Sequence, residues 1–122
     1  MPTEQNTITK QEKPPADTLY VQRWGDLPSP AAPAFYEVTN AGETHTIHAD
    51  KLMQRVLEGV MKQPVFCASR CRVGHFIDLL RKDKRVEIET DWYKNDPASG
   101  RMRFGVYRLI SEVARIDGKE AQ

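Results

Sequence analysis

Between residues 73 and 93 the apolar spacing changes period within a few positions, and that switch limits the architectures open to the chain. Val73, Phe76, Ile77 and Leu80 recur at three- and four-residue intervals, which puts them on one face of an α-helix. Arg70, Arg72, Asp78 and Arg81 fall largely off that face. Val86, Ile88, Thr90 and Trp92 then alternate with Glu87, Glu89, Asp91 and Tyr93, the period of a strand with one face on a core. Residues 94–100, Lys-Asn-Asp-Pro-Ala-Ser-Gly, read as a turn, and the arginine-rich stretch after them reads as a return strand. Met102 and Phe104 stand in one phase of it and Tyr107 and Leu109 in the other, which makes Gly105 a candidate bulge. Residues 69–109 therefore predict a basic helix feeding directly into a β-hairpin, with Ser69 as its N-cap.

A helix followed by a two-stranded ribbon is the back half of a winged helix. The run Ile77, Leu79, Leu80, Arg81, Lys82, then Val86, Ile88, Glu89, Thr90, Trp92, then Gly100, Arg103, Phe104, Gly105, Tyr107, Arg108, Leu109 resembles the small winged-helix (helix-turn-helix) domain of phage and prophage proteins. The resemblance implies an α+β, winged-helix-like fold, with two main helices, a C-terminal β-hairpin wing and an N-terminal β-hairpin. It further implies a non-enzymatic protein that binds duplex DNA, a transcriptional regulator being one such role. Arg70, Arg72 and His75 would reach the groove, Arg81, Lys82, Lys84 and Arg85 would meet phosphates, and Lys94, Arg101 and Arg103 would act from the wing. Before Ser69 the chain departs from the family, because residues 64–68 leave room for a single turn where a second helix is usual. A rival reading keeps the scaffold but makes it a protein-interaction module that binds and modulates, for example inhibits, a host protein. A clustered arginine surface favours DNA; an exposed apolar patch near Trp24, Phe35 and Tyr36 favours a protein. A homodimer is compatible with either.

In chain order, residues 1–17 are polar and are expected to be a disordered arm. Residues 18–34 form an extended or proline-rich segment, with a short run at 18–24 that suits an edge strand or an extended arm docked on the core through its aromatics. The domain proper is expected over 35–110. Residues 35–38 and 44–47 flank a turn in which Gly42 or Asn40 takes a positive φ. Leu52, Met53, Val56, Leu57, Val60 and Met61 make a helical stripe that Pro64 stops, and this helix should pack across the next one. Gly74 marks a close approach, most simply of that first helix. Residues 111–122 are expected to be a tail with one helical turn at most.

Charge sharpens the functional reading. Net charge is −4 over residues 1–50, +6 over 51–108 and −1 over 109–122, so the basic residues gather on the helix and hairpin. That distribution suits phosphate binding, which is salt-dependent because neutralised phosphates release counterions. No apolar run is long enough to cross a bilayer, the first ten residues lack a signal-peptide core, and a cytoplasmic address is expected. Cys67, Cys71 and His75 fall at i, i+4 and i+8, but three ligands on one helix do not make a structural zinc site, and metal-free folding is expected. No phosphate-binding loop, nucleophile elbow or metalloprotease motif occurs, so neither cofactor nor catalysis is expected.

Overall fold

The computed structural model describes residues 9–10, 14–67, 72–96 and 101–116, with 9–10, 94–96 and 101–104 described for their backbone only. In chain order the elements are β1 (Thr9–Lys10), β2 (Leu19–Val21), a 3-10 turn at Trp24–Asp26, β3 (Ala34–Asn40), β4 (Glu43–Ala49), α1 (Lys51–Lys62), β5 (Val65–Cys67), α2 (Val73–Asp83), β6 (Ile88–Asp96), β7 (Arg101–Leu109) and β8 (Glu112–Ile116). They form two sheets: sheet A in the order β1-β6-β7-β5-β2, and sheet B in the order β4-β3-β8.

Sheet B begins from a hairpin that its own residues dictate. Ala34, Tyr36 and Val38 are buried while Phe35 and Glu37 between them are exposed, the alternation of a strand with one wet face. Ala41 and Gly42 turn the chain with φ of 52° and 89°, as a two-residue hairpin loop requires. α1 follows and buries Val56, Leu57 and Val60, with Leu52, Met53 and Met61 half-buried at the margins. Gln54 and Gly59 also lie on its buried side. A Cβ on Gly59 would stand 2.8 Å from Leu27 Cδ2, so the glycine admits the proline-rich segment across the helix. The helix stops at Gln63, the residue before Pro64, where the proline ring disfavours helical backbone.

α2 starts later in the chain than expected. Ser69 lies outside the described residues, and the observed N-cap is Arg72, in the left-handed region at φ 66°. Val73, Ile77 and Leu80 are fully buried on the predicted face, and Phe76 packs against the same core from a half-buried position. Gly74 is explained by the sheet and not by α1: a Cβ there would meet the Tyr107 hydroxyl at 3.0 Å. β6 and β7 pair in antiparallel register from Ile88 with Leu109 to Asp96 with Arg101. Gly105 is therefore no bulge. It sits opposite Trp92, and a Cβ on it would stand 2.6 Å from Thr90 Cγ2 and 3.2 Å from the Trp92 ring.

The winged-helix expectation is overturned. The chain is a strand-rich mixed α+β fold in two sheets, with two helices among the described residues, and not a helix-turn-helix arrangement. Two stretches with no readable period make the difference. Val65 and Phe66 are both buried because Val65 packs in the main core while Phe66 packs with Tyr93 and Val106 in a second cluster, so both faces of β5 are covered and no alternation shows. The stretch after Ile110, expected as a tail with one helical turn at most, is strand β8, which pairs with β3 from Phe35 with Ile116 to Thr39 with Glu112.

A polar clasp joins the sheets at the ends of β3, α2 and β7. The Ser111 hydroxyl donates to Asn40 Oδ1 and accepts from the Glu87 amide at 2.7 Å. Asn40 Nδ2 donates to the Arg85 carbonyl at 2.8 Å, and the Ile110 and Ser111 amides both reach the Glu87 carbonyl. His45 Nε2 donates to the Lys84 carbonyl at 2.8 Å. Together these bonds fix the loop between α2 and β6 against sheet B.

Candidate nucleic-acid interface

The helix phase decides what α2 can offer a ligand. With Val73, Ile77 and Leu80 inward, His75, Asp78 and Lys82 stand on the exposed arc, and Arg72 is exposed at the N-cap. The His75 ring lies edge-on to Phe76 at 5.0 Å, and Phe76 in turn meets Trp24 at 5.5 Å. His75 is thus held at the surface by packing beneath it.

Arg81, expected among the phosphate contacts, also makes bonds within the fold. Its Nε donates to the Ile88 carbonyl at 2.9 Å, Nη2 donates to Thr90 Oγ1 at 2.9 Å, and Nη1 pairs with Asp78 at 3.3 Å. The guanidinium pins the end of α2 to β6. Arg108 is committed as well, to Asp91 at 2.8 Å and Glu89 at 2.9 Å. Hydrogen bonds to Asp91, with the charges of both carboxylates, raise its pKa further. Arg115 pairs with Glu58, and Arg55 donates to the Trp24 and Leu27 carbonyls, which holds the 3-10 turn on α1.

Four of the candidate cations remain uncommitted. Arg72, Lys82 and Arg85 are exposed and Lys84 is half-buried, and none of the four forms an ion pair with a described residue. Arg85 adopts φ 54°, which turns the chain sharply out of α2. It lines a groove of about 570 Å³ with Glu87, Glu89 and Ile110, and a second of about 130 Å³ with Glu43 and His45. Arg70 lies outside the described residues. Lys94 and Arg103 face each other in register and Arg101 faces Asp96, but their side chains are outside the described set.

Comparison of the chain with protein-family models, curated proteins and solved structures returned no match. The functional reading therefore rests on the surface itself.

The cysteine spacing does not survive folding as a helical stripe. Cys67 ends strand β5, His75 sits on the exposed arc of α2, and Cys71 lies outside the described residues. Among the described residues no group of three or more His, Cys, Asp or Glu side chains is placed to hold a metal ion. Nor is any described helix long and apolar enough to cross a membrane. Sequence reasoning missed the internal role of Arg81, whose partners Ile88 and Thr90 come from the next element. Only its place beside Leu80, at the edge of the buried face, hinted at it.

Proposed function

We propose that this chain is a non-enzymatic, cytoplasmic protein that binds duplex DNA through the exposed arc of α2 and the loop after it. The observation that supports the reading is the uncommitted charge. Arg72, Lys82, Lys84 and Arg85 lie within one helix and its outgoing loop, where Asp78 is paired with Arg81 and Asp83 and Glu87 are the remaining acidic residues. An eleven-residue helix is ~17 Å long at ~1.5 Å per residue, so its ends can meet phosphates on either side of a groove wide enough to admit it. Such contacts are sequence-independent and release counterions. Arg72 and His75, near the start of α2, are the side chains best placed to reach base edges.

The test is a titration with random duplex DNA at two salt concentrations. The parent should bind more tightly at low salt, and each of Lys82→Ala, Lys84→Ala and Arg85→Ala should reduce the salt slope by about 1. Negligible binding at low salt by both the parent and the triple variant would end the DNA reading. The rival reading, a module that binds a host protein, draws on a different surface. Tyr36 is fully buried and Trp24 half-buried, but Phe35 is 44% exposed on sheet B.

A further inference from the structure

Sheet B has one face on the core and one in solvent. Register places Phe35, His48 and Ile116 in one rank across its outer face, Glu37, Thr46 and Ala114 in the next, and Thr39, Thr44 and Glu112 in the third. The inner face carries Tyr36, Val38 and Ile47, all buried. On the outer face the Phe35 ring lies 5.0 Å from the His48 ring and remains exposed, with half-buried Ile116 in the same rank. Glu37 and Glu112 are exposed in the following ranks, and none of the three ranks holds a lysine or arginine. Neither glutamate is in an ion pair with a described residue.

Size and charge together indicate the occupant. Three strands ~4.8 Å apart, followed for five residues at ~3.4 Å each, make a face of a few hundred Å² at most. That is well short of the ~800 Å² per partner of a stable interface between folded proteins, so the face suits a short segment better than a second copy. Its two uncompensated carboxylates favour cations. Ranks two residues apart lie ~7 Å apart along a strand, which is also the spacing of alternate side chains on an extended peptide. We infer that the outer face of sheet B docks a short extended segment of a partner protein, one with an apolar side chain followed two and four positions on by lysine or arginine. The apolar group covers Phe35 and Ile116, and the cations meet Glu37 and Glu112. This surface uses none of the residues assigned to DNA, and either can fail without the other.

The experiment uses the full chain, uniformly labelled with ¹⁵N, and two synthetic peptides: one with leucine followed two and four positions on by lysine, the other with glutamate for both lysines. The lysine peptide should shift the amide resonances of Phe35, Glu37 and His48, and the glutamate peptide should not. Binding should weaken about tenfold in Phe35→Ser and in Glu37→Lys, as loss of an anchor or reversal of a facing charge predicts. Both positions are exposed, so both variants should melt with the parent; if Phe35→Ser fails to fold, Glu37→Lys carries the test. Duplex DNA added beforehand should leave these shifts in place. The inference is overturned if the two peptides bind alike, if the lysine peptide shifts α2 or nothing, or if Glu37→Lys binds as the parent does. It is equally overturned if the same amides shift with protein concentration alone, since a second copy would then be the occupant.

Discussion

Tyr36 is fully buried, and its hydroxyl donates to Glu58 Oε2 at 2.5 Å while accepting from Gln54 Nε2 at 2.9 Å. Gln54 also donates to the Ala32 carbonyl, so one network ties β3, α1 and the segment before them. Tyr36→Phe would take one bond from each partner, leaving Gln54 to Ala32 and Glu58 to Arg115, and it should cost about 1–3 kcal/mol in a denaturant melt. Burial first, and then the hydrogen bond to Glu58, push the Tyr36 pKa from 10.0 up to about 12. The neutral phenol is favoured in the fold. Its contribution is therefore complete below the unfolded pKa of 10.0 and is lost as pH rises towards about 12. NMR of ring-labelled tyrosine should show the Tyr36 phenolate appearing above the ordinary range or together with unfolding; ionisation near pH 10 in the folded state would contradict the burial argument. Gly105 makes a second residue-scale prediction. Alanine there meets Thr90 and Trp92 inside contact distance, so Gly105→Ala should destabilise by about 1–3 kcal/mol despite alanine's smaller entropy cost. A melting temperature at or above the parent's would show that Trp92 yields.

At the scale of elements, α2 is held by two different devices. Its apolar face supplies most of the binding to the core, and Leu80→Ala should cost about 2–5 kcal/mol through the lost contacts and the cavity left behind. Arg81 supplies direction, because its bonds to Ile88 and Thr90 set where the helix ends against β6. Arg81→Ala should therefore lower the melting temperature while leaving the salt slope of any DNA binding nearly unchanged. A slope reduced by about 1 would instead make Arg81 a phosphate ligand. The elements legible in the sequence are those long enough to show a period: α1, α2, the β3–β4 hairpin and the β6–β7 hairpin. β5 has three residues and β8 five, too few for alternation to stand out from chance, and β5 is covered on both faces. β2, three residues long, is legible only as an edge strand or a docked arm, because its apolar residues stand alone between polar and proline-rich flanks, and pairing with β5 decides for the strand.

Across the whole molecule, charge is divided between surfaces. The cations of α2 and its loop and the carboxylates of sheet B's outer face belong to different elements, joined where Asn40 and His45 hold the loop. That division is written along the chain as a regional imbalance, −4 over residues 1–50 against +6 over 51–108. Which cations are available is not written there. Arg81 and Arg108 count towards the same basic total as Lys82 and Arg85, yet both are committed to partners on β6. The sequence by itself determined the long elements, because a helix or a half-buried strand writes its period into successive side chains. It also determined where α1 stops, because Pro64 acts on its immediate neighbour. Only the tertiary structure decided that the strands form two sheets and not a wing beside a helix-turn-helix. It alone decided that β5 and β8 are strands, since β5 takes its hydrogen bonds from β2 and β7, and β8 from β3, all distant in sequence. The physical reason is the same for strands and for arginines: pairing partners are chosen by register across the fold, and no local pattern encodes a register.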